Sequence, residues 1–583
     1  MSNFLKKNEK KLTRIVALTL AVVFVAMVAW IAIDKFLSIS PYFEDQTFAA
    51  ALADSLGKPA RFLNEDDLEE FEVMVVSCSV TADPSSGYRT VTIPFVTLGK
   101  ADYADHIIEN TRKMNEETEE EEKEESSETS DTSDVSKDEG PKFDTVQVYA
   151  TPSTVADIVK FKNLRVLSAI DGSTAYNISY DIQLANMYAQ LTGSTSNVSA
   201  SMIYKAIVPS DLDSLTDLAP LTKLEYLGVA YSSIPDLKGI ENFPNLLVLD
   251  ASTCKVTSVE GVEKAPELLG LYLGSNTLTK VDGVEKLEKL ETLELSSNKI
   301  AELPKFPENS ALINLSLSGN KLTKLDVNFK NLTSLYVDGN EIKDLAITAP
   351  KLETLNLSGN KLTKLDALKD LTTLEALDLS GNSTIIDLAP IASLKNLTTL
   401  GLIFTKDKAA TKLTDISALK DMTKLETLSI SYTGVKDIDA IAGLKELTSL
   451  TINNSKVVST KALEKLSKLT KVDLSANDIE DVVGLKNKKK LSSLNLSENN
   501  IKDISDLKGA FTVDTIKTLN FKGNMITDWK PLDAYKKATI TKENNSANKP
   551  NKDETSKDET SKNETSKNEE SKEVSEEVSE TSK

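Results

Sequence analysis

Between Leu224 and Asn524 the chain repeats L-x-x-L-x-L-x-x-N-x-I/L-x-x-L fourteen times, plainly in Leu271-Tyr-Leu-Gly-Ser-Asn276, Leu293-Glu-Leu-Ser-Ser-Asn298 and Leu315-Ser-Leu-Ser-Gly-Asn320. The asparagine-type slot falls at 232, 254, 276, 298, 320, 340, 360, 382, 405, 433, 455, 477, 499 and 524, and eight of the thirteen intervals are 22 residues. A fixed short period means stacked coils, each of which buries its apolar face only against its neighbours. Such a solenoid presents a long surface rather than a pocket.

The form of the repeat predicts its parts. In L-x-L the leucines alternate with polar residues, as a strand with one buried face requires. Stacked strands then make a parallel sheet along the concave side. The slot residue turns the chain away, and its side chain serves buried backbone groups of adjacent turns, which is why Asn, Thr, Ser or Cys fills it and never Leu. The return, commonly D-I/L-x-x-L as in Asp437-Ile438 and Asp503-Ile504, leaves room only for single 3₁₀ or α turns on the convex side. Cys254 occupies a slot position and reads as structural; with Cys78 as the other cysteine, no disulfide framework or thiolate metal cage follows.

The residues between the core leucines point out of the concave face. Their central column reads Gly228, Asp250, Tyr272, Glu294, Ser316, Tyr336, Asn356, Asp378, Gly401, Ser429, Thr451, Asp473, Asn495 and Asn520, with Tyr226, Tyr231, Phe404 and Tyr432 beside it. One reading is a solvated sheet face with scattered aromatics. The other is a mildly acidic, hydroxyl-rich groove with aromatic anchors, because Tyr buries area at low entropic loss. The candidate ligand-binding residues are Tyr226, Tyr231, Asp250, Tyr272, Glu294, Tyr336, Asp378, Phe404, Tyr432 and Asp473. Three repeats separate Tyr272 from Tyr336, or roughly 15 Å at ~4.8 Å per strand. A loop around Thr405 to Thr411 lengthens one interval to 28 residues. Such loops touch partners or simply tolerate insertion.

A net charge of −21 disfavours a nucleic-acid partner. Much of the excess is local, since Glu116 to Glu139 holds 13 acids against Lys123 and Lys137. At the N-terminus, Lys6, Lys7, Lys10, Lys11 and Arg14 precede the uncharged run Ile15 to Ile33, with Trp30 near its end. Nineteen helical residues span ~28 Å, enough to cross a bilayer. The basic flank stays inside and the rest of the chain is exported. A cleaved signal peptide is the alternative, although no small-residue cleavage site follows.

Seven segments result: a basic tail 1–14, a membrane anchor or signal peptide 15–33, a cap region 41–108, a disordered acidic linker 109–140, degenerate repeats with an insertion 141–217, the repeat domain 218–535, and a disordered tail 536–583. In the cap, Phe43 to Leu68 reads as two short amphipathic helices and Phe71 to Val76 as a strand. In the degenerate segment, Val146 to Val148 and Leu164 to Ala169 read as decayed repeats, while Tyr176 to Ile207 has no clear reading.

The 22-residue period with N-x-I-x-D-I/L-x-x-L resembles the internalin-like class of bacterial leucine-rich repeats over residues 218–532, and Phe43 to Leu68 is similar to N-terminal caps of related members. The resemblance implies a leucine-rich repeat solenoid, a curved right-handed α/β horseshoe, acting outside the cell in protein binding or adhesion. Two departures stand out: no Ig-like domain follows the repeats, and no L-P-x-T-G signal with a hydrophobic tail closes the chain. A membrane anchor is therefore expected in place of covalent wall attachment.

Catalysis finds no constellation. His106 is the single histidine and reads as a solvated residue, and no G-x-S-x-G, H-E-x-x-H or C-x-x-C occurs. No metal, cofactor or catalytic residue is expected. The expected partner is a protein, of a host or of the envelope, together with the membrane through residues 15–33. A structural spacer that binds wall polysaccharide or an envelope complex is the alternative.

Overall fold

The computed structural model describes residues 40–83, 89–113, 143–148, 150–168, 211–404 and 412–545. The apolar run Ile15 to Ile33, most of the acidic linker, the 176–207 insertion and the Thr405 to Thr411 loop lie outside these residues. Among the described residues no helix is long and apolar enough to cross a membrane. The chain divides into two compact units, Met1–Leu413 and Thr414–Lys583.

The first unit opens with helix α1 (Gln46–Ser55), capped by the Asp45 carboxylate, which accepts from Thr47 N at 2.9 Å and Phe48 N at 3.0 Å. The second helix expected in the cap is instead two 3₁₀ turns, Ala60–Phe62 and Glu65–Asp67. The break follows Gly57-Lys58-Pro59, where Gly57 takes φ 67° and a proline follows at 59. Strands β1 (Val73–Asp83), β2 (Arg89–Gly99) and β3 (Thr145–Val148) pair antiparallel in the order β1-β2-β3. Val146 to Val148 is thus no decayed repeat strand, because a repeat strand pairs parallel. Between β2 and β3 runs helix α2 (Ala101–Lys113). It continues past residue 109, where the linker was expected to begin. An i, i+4 contact of Asn110 Nδ2 with His106 Nε2, at 2.9 Å, ties that last turn down.

After helix α3 (Val155–Ile158) comes β4 (Val166–Ser168), which pairs parallel with both β1 and β5 (Tyr226–Gly228). The second decayed repeat is therefore a coil of the solenoid. The parallel ladder continues through β6 (Val248–Asp250), β7 (Gly270–Tyr272), β8 (Thr292–Glu294) and β9 (Asn314–Ser316). Beyond it, β9 pairs with β11 (Ser334–Tyr336), and β13 (Thr354–Asn356), β14 (Ala376–Asp378) and β15 (Thr399–Ile403) follow in order. On the opposite side, β10 (Lys324–Asn328) and β12 (Asp344–Thr348) pair with each other. Both lie in the repeats shortened to 20 residues. A strand advances ~3.3 Å per residue against ~2.0 Å for a 3₁₀ turn, so the shorter return stretches to close the coil.

The second unit has its own parallel ladder: β16 (Thr427–Ser431), β17 (Ser449–Asn453), β18 (Lys471–Asp473), β19 (Ser493–Asn495), β20 (Thr518–Asn520) and β21 (Thr539–Thr541). β21 falls in the segment read as tail. Its coil ends on Asn545, whose amide donates to Phe521 O at 2.9 Å as the earlier slot residues do.

In both units the core is the leucine column and the slot amides. Asn320 Oδ1 accepts from Ile300 N at 2.9 Å, and its Nδ2 donates to Leu295 O and Leu317 O, each at 2.9 Å. One side chain therefore stitches two coils. The returns are mostly 3₁₀ turns, many fixed by the predicted aspartates, as where Asp437 accepts from Asp439 N at 2.7 Å. This is a leucine-rich repeat solenoid with short turns opposite its sheet.

Candidate functional site: the sheet face opposite the core

Strand register aligns the predicted column. In unit 1, Gly228, Asp250, Tyr272, Glu294, Ser316, Tyr336, Asn356, Asp378 and Gly401 are successive Cα partners. In unit 2, Ser429, Thr451, Asp473, Asn495 and Asn520 continue the same kind of column. The leucines on either side are buried, so alternation turns these residues to the sheet's open face.

The start of that face is already covered. Ala104 and Ile108 of α2 are buried against Val73, Val75, Val166 and Val248, and Tyr103, Ile107, Tyr226, Leu269 and Tyr272 pack around them. Arg165 pins the helix: its guanidinium reaches Asp105 on α2 at 2.7 Å, Glu225 at 2.6 Å and Glu72 at 3.2 Å. Three carboxylates around one guanidinium raise its pKa further above the ordinary arginine value, outweighing the opposing effect of burial. His106, expected to be solvated, is half-buried with its ring 4.7 Å from that of Phe143.

Tyr226 and Tyr272 are thus anchors for the chain's own helix. Burial raises the phenol pKa of Tyr272, and the Asp250 and Glu294 carboxylates raise it further. Asp250 is raised as well, by burial first and then by Glu294, although Ser252 N donates to it at 2.9 Å. Tyr231 sits half-buried in a turn at φ 66°, and Tyr432 occupies the equivalent turn of unit 2 at φ 58°. Phe404 is a correction. It is 2% exposed and belongs to the core. β15 runs on to Ile403, so alternation carries Phe404 inward and leaves Ile403 outside, 43% exposed. Reading the alternation two residues further along the sequence identifies Ile403.

Among the described residues, what remains open in unit 1 is the strip from Glu294 to Ile403. It carries Tyr336, 39% exposed, and the carboxylates of Glu294, Asp338 and Asp378. Serine partners hold those carboxylates in place. Ser296 N donates to Glu294 at 3.0 Å, Ser380 N to Asp378 at 2.9 Å, and Ser318 Oγ to Asp338 at 2.5 Å. Gly401 leaves room for Asp378 to lean across, since a Cβ there would lie 2.5 Å from its Oδ1. Asp473 is held likewise by Ser475 N at 2.9 Å and Oγ at 2.6 Å. Cys254 is buried and burial pushes its thiol up to about 11, which leaves it unreactive. Among the described residues no group of carboxylates, cysteines or histidines is placed to hold a metal ion. The face offers fixed hydrogen-bonding groups, negative charge and two exposed apolar side chains, which suits recognition.

Residues 330–383 match the family model described as leucine rich repeat. No curated protein matches the chain. Among solved structures it is similar to an internalin, InlF, of Listeria monocytogenes, at 24% identity over 54% of this chain and 85% of that one, with a TM-score of 0.44. The functional domain of InlJ from the same organism matches at 25% identity, 55% and 68% coverage and a TM-score of 0.46. A leucine-rich-repeat protein of Leptospira interrogans matches at 22% identity, 56% and 92% coverage and a TM-score of 0.45.

Proposed function

We propose that this internalin-like leucine-rich-repeat protein binds a protein partner through the open sheet face between Glu294 and Ile403. The observation that carries this reading is the uncovered strip itself. Tyr336 and Ile403 stand exposed on a rigid ladder, among carboxylates whose positions are fixed, while α2 fills the face next to it. A preorganised surface loses little entropy on association, and Tyr336 and Ile403, three strands apart on the ladder, give it two separate exposed anchors of the kind that protein interfaces use. The protein acts as a binding module and not as an enzyme. It is held at the outer surface of a cell by the helix expected over Ile15 to Ile33, with adhesion or envelope contact as its role.

A second reading has its own support. Ser316, Asn356, Ser318, Ser358 and Ser380 in unit 1, like Ser429, Thr451, Asn495 and Asn520 in unit 2, make a grid of short hydroxyls and amides. Protein interfaces are poor in serine, so such a grid favours a wall polysaccharide and a spacer role. Replacing Tyr336 by Ala and Ile403 by Ser separates the two readings. Both side chains are exposed, so folding is retained. Capture of a protein from the surface of intact cells drops at least tenfold if these are the anchors. Unchanged capture, or recovery of glycan alone, overturns the protein reading.

A further inference from the structure

One edge of the unit 1 coils carries charge that neither the core nor the sheet face explains. Directly after the slot asparagines stand Lys299, Lys321, Glu341 and Lys361. They are stacked coil on coil: Lys321 N donates to Ile300 O at 2.8 Å, Glu341 N to Leu322 O at 2.8 Å and Lys361 N to Ile342 O at 2.9 Å. Lys343 joins the same edge, its N–H donating to Thr323 O at 3.0 Å. All four lysines are exposed.

Lys361 pairs with Glu341 at 2.6 Å. Among the described residues no carboxylate lies within ion-pair distance of Lys299, Lys321 or Lys343. The Glu341 carboxyl is held below the usual carboxylate range by Lys361 first, with Lys321 and Lys343 adding to the effect. Lys361 thus holds the Glu341 carboxylate while Lys321 and Lys343 stand on the same stacked edge, in a chain whose net charge is −21. A shallow depression beside them is lined by Lys343, Lys361, Asn360, Thr363 and Ser383, with one acid, Asp344.

Coils lie ~4.8 Å apart, so the cations recur along roughly 15 Å in a line. A single small anion would use one of them; a chain with repeating charges uses the row. The depression has no aromatic lining for bases to stack on, and a duplex needs more phosphate contacts than this row supplies. An acidic peptide would engage the ammonium groups and leave the interleaved hydroxyls idle. A polyol satisfies both.

We propose that this lysine edge binds an anionic polyol or sugar chain whose phosphodiester groups bridge Lys299, Lys321, Lys343 and Lys361, with its hydroxyls meeting Thr363 and Ser383. The edge uses different side chains from the sheet face, so failure of one proposal leaves the other standing.

The test is fluorescence anisotropy of a labelled synthetic poly(glycerol phosphate) of about twelve units with the full chain, at salt from about 50 to 200 mM. The expected result is saturable binding that falls with salt. Lys321→Gln, Lys343→Gln and Lys361→Gln together weaken it at least tenfold and flatten the log–log salt slope by about 2, at about 0.7 per lost phosphate contact. Replacing the exposed Lys445, Lys465 and Lys490 by Gln leaves binding unchanged, and circular dichroism reports the same unfolding midpoint for both variants. Glu341→Gln strengthens binding. No saturable binding at the lowest salt, equal binding by the edge variant, or equally tight binding of oligo-dT or poly-glutamate of matched charge overturns the proposal.

Discussion

At the scale of single residues, the asparagine slot decides more than any leucine. Replacing Leu315 would leave a cavity, whereas losing the Asn320 amide strands the buried Ile300 N–H, at about 1–3 kcal/mol of desolvation, and leaves the Leu295 and Leu317 carbonyls with one amide donor each, from Asn298 and Asn340. That role is legible from the repeat because the slot accepts only side chains able to hydrogen-bond. Cys254 keeps to the rule, its Sγ lying 3.0 Å from Val229 O. Asp250 was legible as a position and not as a chemical state. Its carboxyl is raised above the ordinary value by burial and by Glu294. A group whose folded pKa is raised contributes stability that is full below the unfolded value and lost as pH climbs through the folded one. Asp250→Asn keeps the acceptor for Ser252 N and removes the buried charge. Its unfolding midpoint should exceed that of the parent chain at pH 7 and match it more closely near pH 4. A lower midpoint at pH 7 would show the carboxylate to be stabilising.

At the scale of elements, the strands and 3₁₀ returns follow from periodicity, and the docking of α2 does not. Ala104 and Ile108, four residues apart, share one face of α2. Nothing local indicates that the face lies on Val166 and Val248, which are remote in sequence, or that Arg165 reaches Asp105 across 60 positions. The same blindness made Tyr226 and Tyr272 look available. The second-unit boundary was missed for a different reason. In Thr539-Ile-Thr541 a single isoleucine replaces the leucine pair, so the coil ending at Asn545 reads as tail composition. Overpacking tests the α2 assignment. Ala104→Arg forces a charged side chain into that buried contact, at about 1–3 kcal/mol. Hydrogen exchange should then accelerate across residues 101–113 while β8 to β14 stay protected. Unchanged protection of α2 would mean that Ala104 is not held against the sheet.

At the scale of the whole molecule, the unit 1 ladder divides its labour along its length. α2 occupies the first strands, the strip from Glu294 to Ile403 is open, and the lysine edge runs beside it. The columns were legible because period two fixes which side chains leave the core. Which of them remain free depends on what else packs there, and a single strand pattern carries no such information. The most direct measurement places a photoreactive phenylalanine at Tyr336, and in a second chain at Lys465 on the return side of unit 2, then irradiates intact cells displaying each full chain. A partner bound to the open face gives a protein adduct from position 336 that is absent from position 465. Adducts of equal yield from both positions, or none from 336, would contradict the claim that this strip is where the protein binds.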